Sequence, residues 1–199
     1  MANAQTIQKF YTTAAQRDFA RLFQFRLISF GNVDFGTEQL TYVETASLPG
    51  RTINNVQVPY MGLQFNVPGT VSYPGSTGYT VAFRCDQNYD LRAALEAATF
   101  NTFDEANSTG QYSLPGINNT LTMELLDKQM KPVRYYTLYG VYVQGLADTA
   151  YDIKDTGTVS TINATLAYQF WRSGKVGSPV TPNFGYKYAP ESWAGPSRR

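Results

Sequence analysis

"STINATLAYQFW", residues 160–171, alternates more regularly than any other stretch of this 199-residue chain. Ile162, Ala164, Leu166, Tyr168 and Phe170 fall on one side of an extended backbone, and Thr161, Asn163, Thr165 and Gln169 on the other, because successive side chains of a strand point to opposite faces. The pattern predicts a strand whose inner face is apolar and whose outer face is polar and neutral.

The same period recurs upstream. "PVRYYTLYGVYV" (132–143) alternates Val and Tyr, "TLTMELL" (120–126) sets Leu121, Met123 and Leu125 together, and "YTVAFRC" (79–85) points Tyr79, Val81, Phe83 and Cys85 one way. In "LFQFRLIS" (22–29), Phe23, Phe25 and Leu27 share a face opposite Gln24 and Arg26. Two segments have helical spacing instead. Ile7, Phe10, Tyr11 and Ala14 predict a short amphipathic helix over 5–16, and Leu91, Ala94, Leu95 and Ala98 a second one, with Asn88 as its N-cap and Asp90 in its first turn. Six or seven strands around one well-marked helix predict a mainly β fold, an antiparallel sandwich or partly open barrel with that helix packed against it.

The stretch "YVETASLPGRTINNVQVPY" (42–60) does not fit a compact domain so easily. Its first half can serve a core; a kink follows at Leu48-Pro49-Gly50. Beyond it only Ile53, Val56 and Val58 are apolar up to residue 58, and Ile53 faces away from the other two. Such a strand buries little in its own domain.

Composition narrows the function. Charged residues make up 16% of the chain, whereas Tyr and Phe number 15 and 12, so much of the surface is neutral and aromatic, a composition that favours protein contacts. The net charge of +1 is uneven: residues 34–105 carry eight acids against Arg51, Arg84 and Arg92, while bases outnumber acids at both ends. Basic ends and an acidic middle suit head-to-tail subunit contacts. With no histidine and Cys85 alone, imidazole or thiolate metal sites and Ser-His-Asp or Cys-His catalysis cannot be built. Asp86, Asn88 and Asp90 mimic the start of a calcium loop, but Leu91 and Ala97 stand where glycine and glutamate are needed. Asp104 and Glu105 read as a solvated pair. "PGSTG" (74–78) reads as a turn, since a phosphate loop would need a following lysine. No basic cluster marks the central strands, so a grip on nucleic acid is not expected. Neither a cofactor nor enzymatic activity is expected. No apolar run approaches a membrane span, and Met1 to Tyr11 lacks the apolar core of a signal peptide, so synthesis in a cytoplasm without a membrane anchor is expected.

The order of these parts resembles the tail tube proteins of contractile-tailed bacteriophages, which are related to the tube proteins of type VI secretion machines. The resemblance rests on the amphipathic N-terminal helix, "DFARLFQFRLIS" (18–29), the strand ending in "TASLPG" (45–50), the polar run to "VPY" (58–60), "YTVAFRCDQNYDLRAALEAA" (79–98) and the closing "LAYQFW" (166–171). It implies a β domain over 1–172 that closes with identical copies into hexameric β-barrel rings. Stacked rings would form a virion tube passing double-stranded DNA into the host without sequence-specific binding, in contact with sheath, tape-measure and baseplate proteins. It further implies an inter-ring arm over about 49–69, with Leu48, Pro49, Gly50, Ile53, Val56, Val58, Tyr60 and Met61 as contacts, and neighbour contacts by Ile7, Phe10 and Tyr11. The helix is expected over 89–99. The loop at 101–118 and the Pro- and Gly-rich, aromatic extension at 173–199 look long for the family core; they point to an outer-wall or sheath role, or to a baseplate-proximal relative. Thr161, Asn163, Thr165 and Gln169 are the expected lumen-facing residues. The competing readings are a carbohydrate-binding β-sandwich, with exposed Tyr and Trp stacking on sugars, and a hydrolase using a convergent acid pair.

Overall fold

A computed structural model describes residues 6–16, 18–31, 39–73 and 78–176; most of the C-terminal extension and of the 74–78 turn lies outside these. In chain order the elements are α1 (Ile7–Gln16), β1 (Phe25–Phe30), a 3-10 turn (Gln39–Tyr42), β2 (Val43–Ala46), β3 (Thr52–Tyr60), β4 (Leu63–Ser72), β5 (Tyr79–Arg84) and α2 (Asp90–Thr102). There follow β6 (Phe103–Asp104), β7 (Thr109–Gly110), β8 (Thr120–Leu126), β9 (Pro132–Tyr139), β10 (Tyr142–Leu146), β11 (Thr161–Ala167) and β12 (Phe170–Lys175). Two four-stranded antiparallel sheets, ordered β1-β8-β9-β12 and β10-β11-β5-β2, face each other. The mainly antiparallel, partly open sandwich expected from the sequence is what forms.

Alternation explains the core. Ile162, Ala164 and Leu166 of β11 are fully buried beside Val81 and Phe83 of β5, opposite Leu121, Met123 and Leu138 of the other sheet. Helix α2 lies along β10 and adds Leu91, Leu95 and Ala98 to the same cluster. Its first amides bond to the carboxylate of Asp86, from Asp90 N at 3.1 Å and Leu91 N at 3.3 Å. The N-cap position is Tyr89, left-handed at φ 61 and with no cap bond from its own side chain; Asp86, not Asn88, supplies the acceptor for the first amides. The helix also runs on to Thr102 and passes into the small β6–β7 hairpin, so the 101–118 segment begins inside regular structure.

Two expectations about strands change. "STINATLAYQFW" is two strands, not one: β11 ends at Ala167, the chain bends at Tyr168–Gln169, and β12 continues in the other sheet. β9 passes into β10 at the same corner through Gly140. There Gln169 N bonds Tyr139 O at 2.9 Å, and any Cβ on Gly140 (φ 63) would lie 2.7 Å from Gln169 Cγ. Tyr168 stays buried, but the bend resets the alternation. Phe170 pairs with Tyr139 on the face opposite Leu138 and stacks on that ring at 5.0 Å. At the other edge, Gln24 is buried and Phe23 exposed, the reverse of the alternation, because β1 begins only at Phe25. Before it the chain turns, with Gln24 N bonding Arg21 O and the Gln24 side chain accepting from Arg21 N.

Candidate assembly surfaces

The Leu-Pro-Gly kink is the foot of an arm. Pro49 is buried, Leu48 and Gly50 are exposed, and the two carbonyls flanking the kink are held by the body. Tyr79 Oη donates to Ser47 O, and Trp171 Nε1 of β12 donates to Gly50 O at 2.8 Å. On the returning side, Arg172 donates to Tyr73 Oη at 3.4 Å. Burial, then the neighbouring Tyr168 phenol, push the Tyr79 phenol well above its ordinary value, the bond to Ser47 opposing them only in part.

Beyond the foot, β3 and β4 form a two-stranded hairpin paired with each other and, among the described residues, with no third strand. Every residue of both strands is exposed. The reversal is the two-residue loop Met61-Gly62, with φ 48 and 79, the doubly positive geometry whose twist matches paired strands. The hairpin is amphipathic. Val56–Val67, Val58–Phe65 and Tyr60–Leu63 stand opposite each other as three cross-strand pairs on one face, while Asn55–Pro68, Gln57–Asn66 and Pro59–Gln64 make the other. Ile53 pairs with Val71 on that second face, as its parity requires. The expected arm over 49–69 is thus two strands; the signal for the second is Leu63, Phe65 and Val67, in period 2 directly after Met61-Gly62.

Helix α1 is the second uncovered feature. Ile7, Phe10 and Tyr11 lie on one face and are 89%, 65% and 76% exposed, no residue of the helix is buried, and Phe10 stacks on Phe19 at 6.2 Å. Leu22 and Phe23 continue the exposed apolar run toward β1.

The polar residues separate into two places. Thr161, Asn163 and Thr165 share the outer face of the β10-β11-β5-β2 sheet, in register with Arg84, Ala82 and Thr80, with Thr45 beyond Ala82 on β2. Arg84 is the base of this face, and Glu44, the exposed extra residue of the β2 bulge, stands beside Thr45. Gln169 is not part of it. It sits at the corner, lining an open groove of about 760 Å³ with Asn101, Gln111, Tyr112, Asn119 and Tyr142. Among the described residues no acid or base lines that groove, and no acid pair converges in it. Asp104 is held low by hydrogen bonds from the Asn107 side chain and the Ala106 amide, which makes it the acceptor of a local turn rather than half of a dyad. Asp155 is likewise held low by the amides of Thr158 and Gly157.

No protein-family model and no curated protein matches the chain. Solved structures do, at low sequence identity. A chain of the anti-feeding prophage cap, which terminates the tube, superposes with a TM-score of 0.58 at 10% identity over 80% of this chain and 93% of its own length. A chain from the sheath/tube terminator of the PVC extracellular contractile injection system, in the extended state, gives 0.52 at 12% identity over 79% and 98%. A chain of the anti-feeding prophage baseplate gives 0.50 at 15% identity over 68% and 83%. The fold is thus one found among tube-cap, tube-terminator and baseplate components of contractile injection systems.

Proposed function

We propose that this chain is a structural subunit of a contractile-system tube, assembling with copies of itself into stacked rings. The observation that carries this reading is the hairpin, a rigidly footed β-ribbon about 30 Å long with six apolar side chains bare on one face. A lone two-stranded ribbon is marginal in water, and a soluble monomer gains nothing from so much exposed apolar surface. A second copy that covers it supplies the missing third layer. The fold shared with tube-cap and baseplate chains supports the same reading.

In finer detail, the rings are hexamers of a bacteriophage tail tube, and β1, β12, β2 and β10, the outermost strands of the two sheets, pair across subunits. Ring closure turns edges that would otherwise aggregate into assembly contacts. The Thr161, Asn163 and Thr165 face lines the lumen, a neutral wall along which DNA slides because few bases neutralise its phosphates. Sheath, tape-measure and baseplate proteins are its further partners, and a tube end next to the baseplate is its alternative place.

Negative-stain electron microscopy of the purified chain, with and without Asn54 to Pro68, tests the proposal. Rings or tubes are expected from the full chain; the deletion should give folded, soluble subunits that do not stack. A full chain that stays monomeric at high concentration, or a deletion that builds tubes of normal length, overturns it.

A further inference from the structure

We infer that the apolar face of the hairpin in one copy is covered by helix α1 of a second copy, so that each subunit gives a helix to one neighbour and takes one from another. The two surfaces match in size. The apolar patch from the Val56–Val67 pair to the Tyr60–Leu63 pair spans five residues of each strand, roughly 13 Å from end to end. The stripe from Ile7 to Ala14 is roughly 10 Å of helix. A helix is about 10 Å across and settles on two strands spaced about 4.8 Å apart.

They match in chemistry as well. Lys9 is the only charge in α1 and lies off its apolar stripe, and Arg51 is the only charge between residues 50 and 73. Neither face pairs an ion, and docking strands none. The six hairpin side chains are 45–65% exposed, and Ile7, Phe10 and Tyr11 more so. Since a large aromatic side chain alone covers about 150–250 Å², these nine present on the order of 1,000 Å², the least that a specific interface needs.

Topology makes the occupant another copy. The α1 segment enters the body through β1, at one edge of its sheet, whereas the foot of the hairpin is tied to β12, at the opposite edge, with β8 and β9 between them. Donor and acceptor surfaces on opposite edges make a head-to-tail contact, which propagates from subunit to subunit.

This inference rests on the tube reading, and its test separates the two. Phe10, 65% exposed, is replaced in the full chain by the photocrosslinker p-benzoylphenylalanine. Light- and heavy-isotope proteins are mixed, assembled and irradiated, and the adducts are mapped by mass spectrometry. Mixed-isotope adducts within residues 56–67 are expected. Tubes that form but crosslink elsewhere, or only within one chain, overturn the inference and leave the tube reading standing. A wild-type chain that forms no rings or tubes overturns both. As a second arm, Ile7→Asp with Phe10→Asp should raise the concentration needed for tube formation at least about tenfold; an unchanged threshold refutes the helix contact.

Discussion

The tripeptide Thr-Ile-Asn occurs twice, as Thr161-Ile162-Asn163 in β11 and as Thr52-Ile53-Asn54 in β3. Both are strands, yet Ile162 is 0% exposed and Ile53 is 50% exposed. Identical local sequence gives identical local backbone, because β propensity and alternation act over a few residues. Burial is decided elsewhere. β11 has β10 and β5 on its flanks and the opposite sheet above it, whereas β3 has only β4. The body therefore buries its apolar surface within the chain, whereas the arm leaves its own exposed.

The sharpest way to break this contrast is to put the same charge in both places. Ile162→Asp buries a carboxylate with no partner, and the subunit should lose about 4 kcal/mol or more, enough to unfold a marginal domain. Ile53→Asp should leave the urea midpoint of the isolated subunit within about 0.5 kcal/mol of wild type. If Ile53→Asp cost as much as Ile162→Asp, the hairpin would be folded against its own body and the contrast would be void.

That contrast also marks what could be read in advance. The faces of β11 and β5 were legible because one side of each meets a core, so polarity and parity agree. The corner at Tyr168–Gln169 was not, since Tyr168 remains buried across it and the apolar-polar order of residue types continues through the bend although the faces are reset there. The kink at Pro49 and Gly50 announced the arm. Its second strand stayed hidden because Met61-Gly62 is not one of the Asn-Gly or Asp-Gly pairs that signal such a turn. The apolar stripe of α1 was legible; that no residue of the helix is buried is a tertiary fact. Gln169 looked equivalent to Thr161, Asn163 and Thr165 by parity alone, and the bend moved it to the groove.

Tyr79 belongs to both regions, a buried side chain of the body whose hydroxyl holds the foot of the arm. Its phenol keeps its proton more tightly in the folded protein than in the unfolded chain, where it titrates near 10.0. The folded state therefore binds more protons as pH rises above 10.0, and stability falls there by up to about 1.4 kcal/mol per pH unit from this group. Tyr79→Phe should remove that share of the alkaline loss and cost about 1 kcal/mol near neutrality through the missing bond to Ser47. Urea melts of both proteins between about pH 8 and about pH 11 check both signs. Coincident curves would mean that the clamp contributes nothing, and that the arm's angle is set by Trp171 and Pro49 instead.

The smallest expected effect separates turn geometry from contact. Met61 holds φ 48 at the hairpin tip with its side chain 86% exposed, a left-handed conformation that costs an ordinary side chain roughly 1 kcal/mol and suits asparagine better. Judged on the single chain, Met61→Asn improves the molecule by a few tenths of a kcal/mol, because it relieves the turn and removes an exposed apolar group. If the tip is buried in a neighbour, the flexible thioether that fills uneven gaps is lost at the same step. The two contributions then have opposite signs in two measurements. Melting of the isolated subunit should be unchanged or slightly higher, while assembled tubes should dissociate at lower denaturant than wild type. A gain in both would place the tip in solvent even in the assembly, and would confine the arm's role to the six side chains between Val56 and Val67.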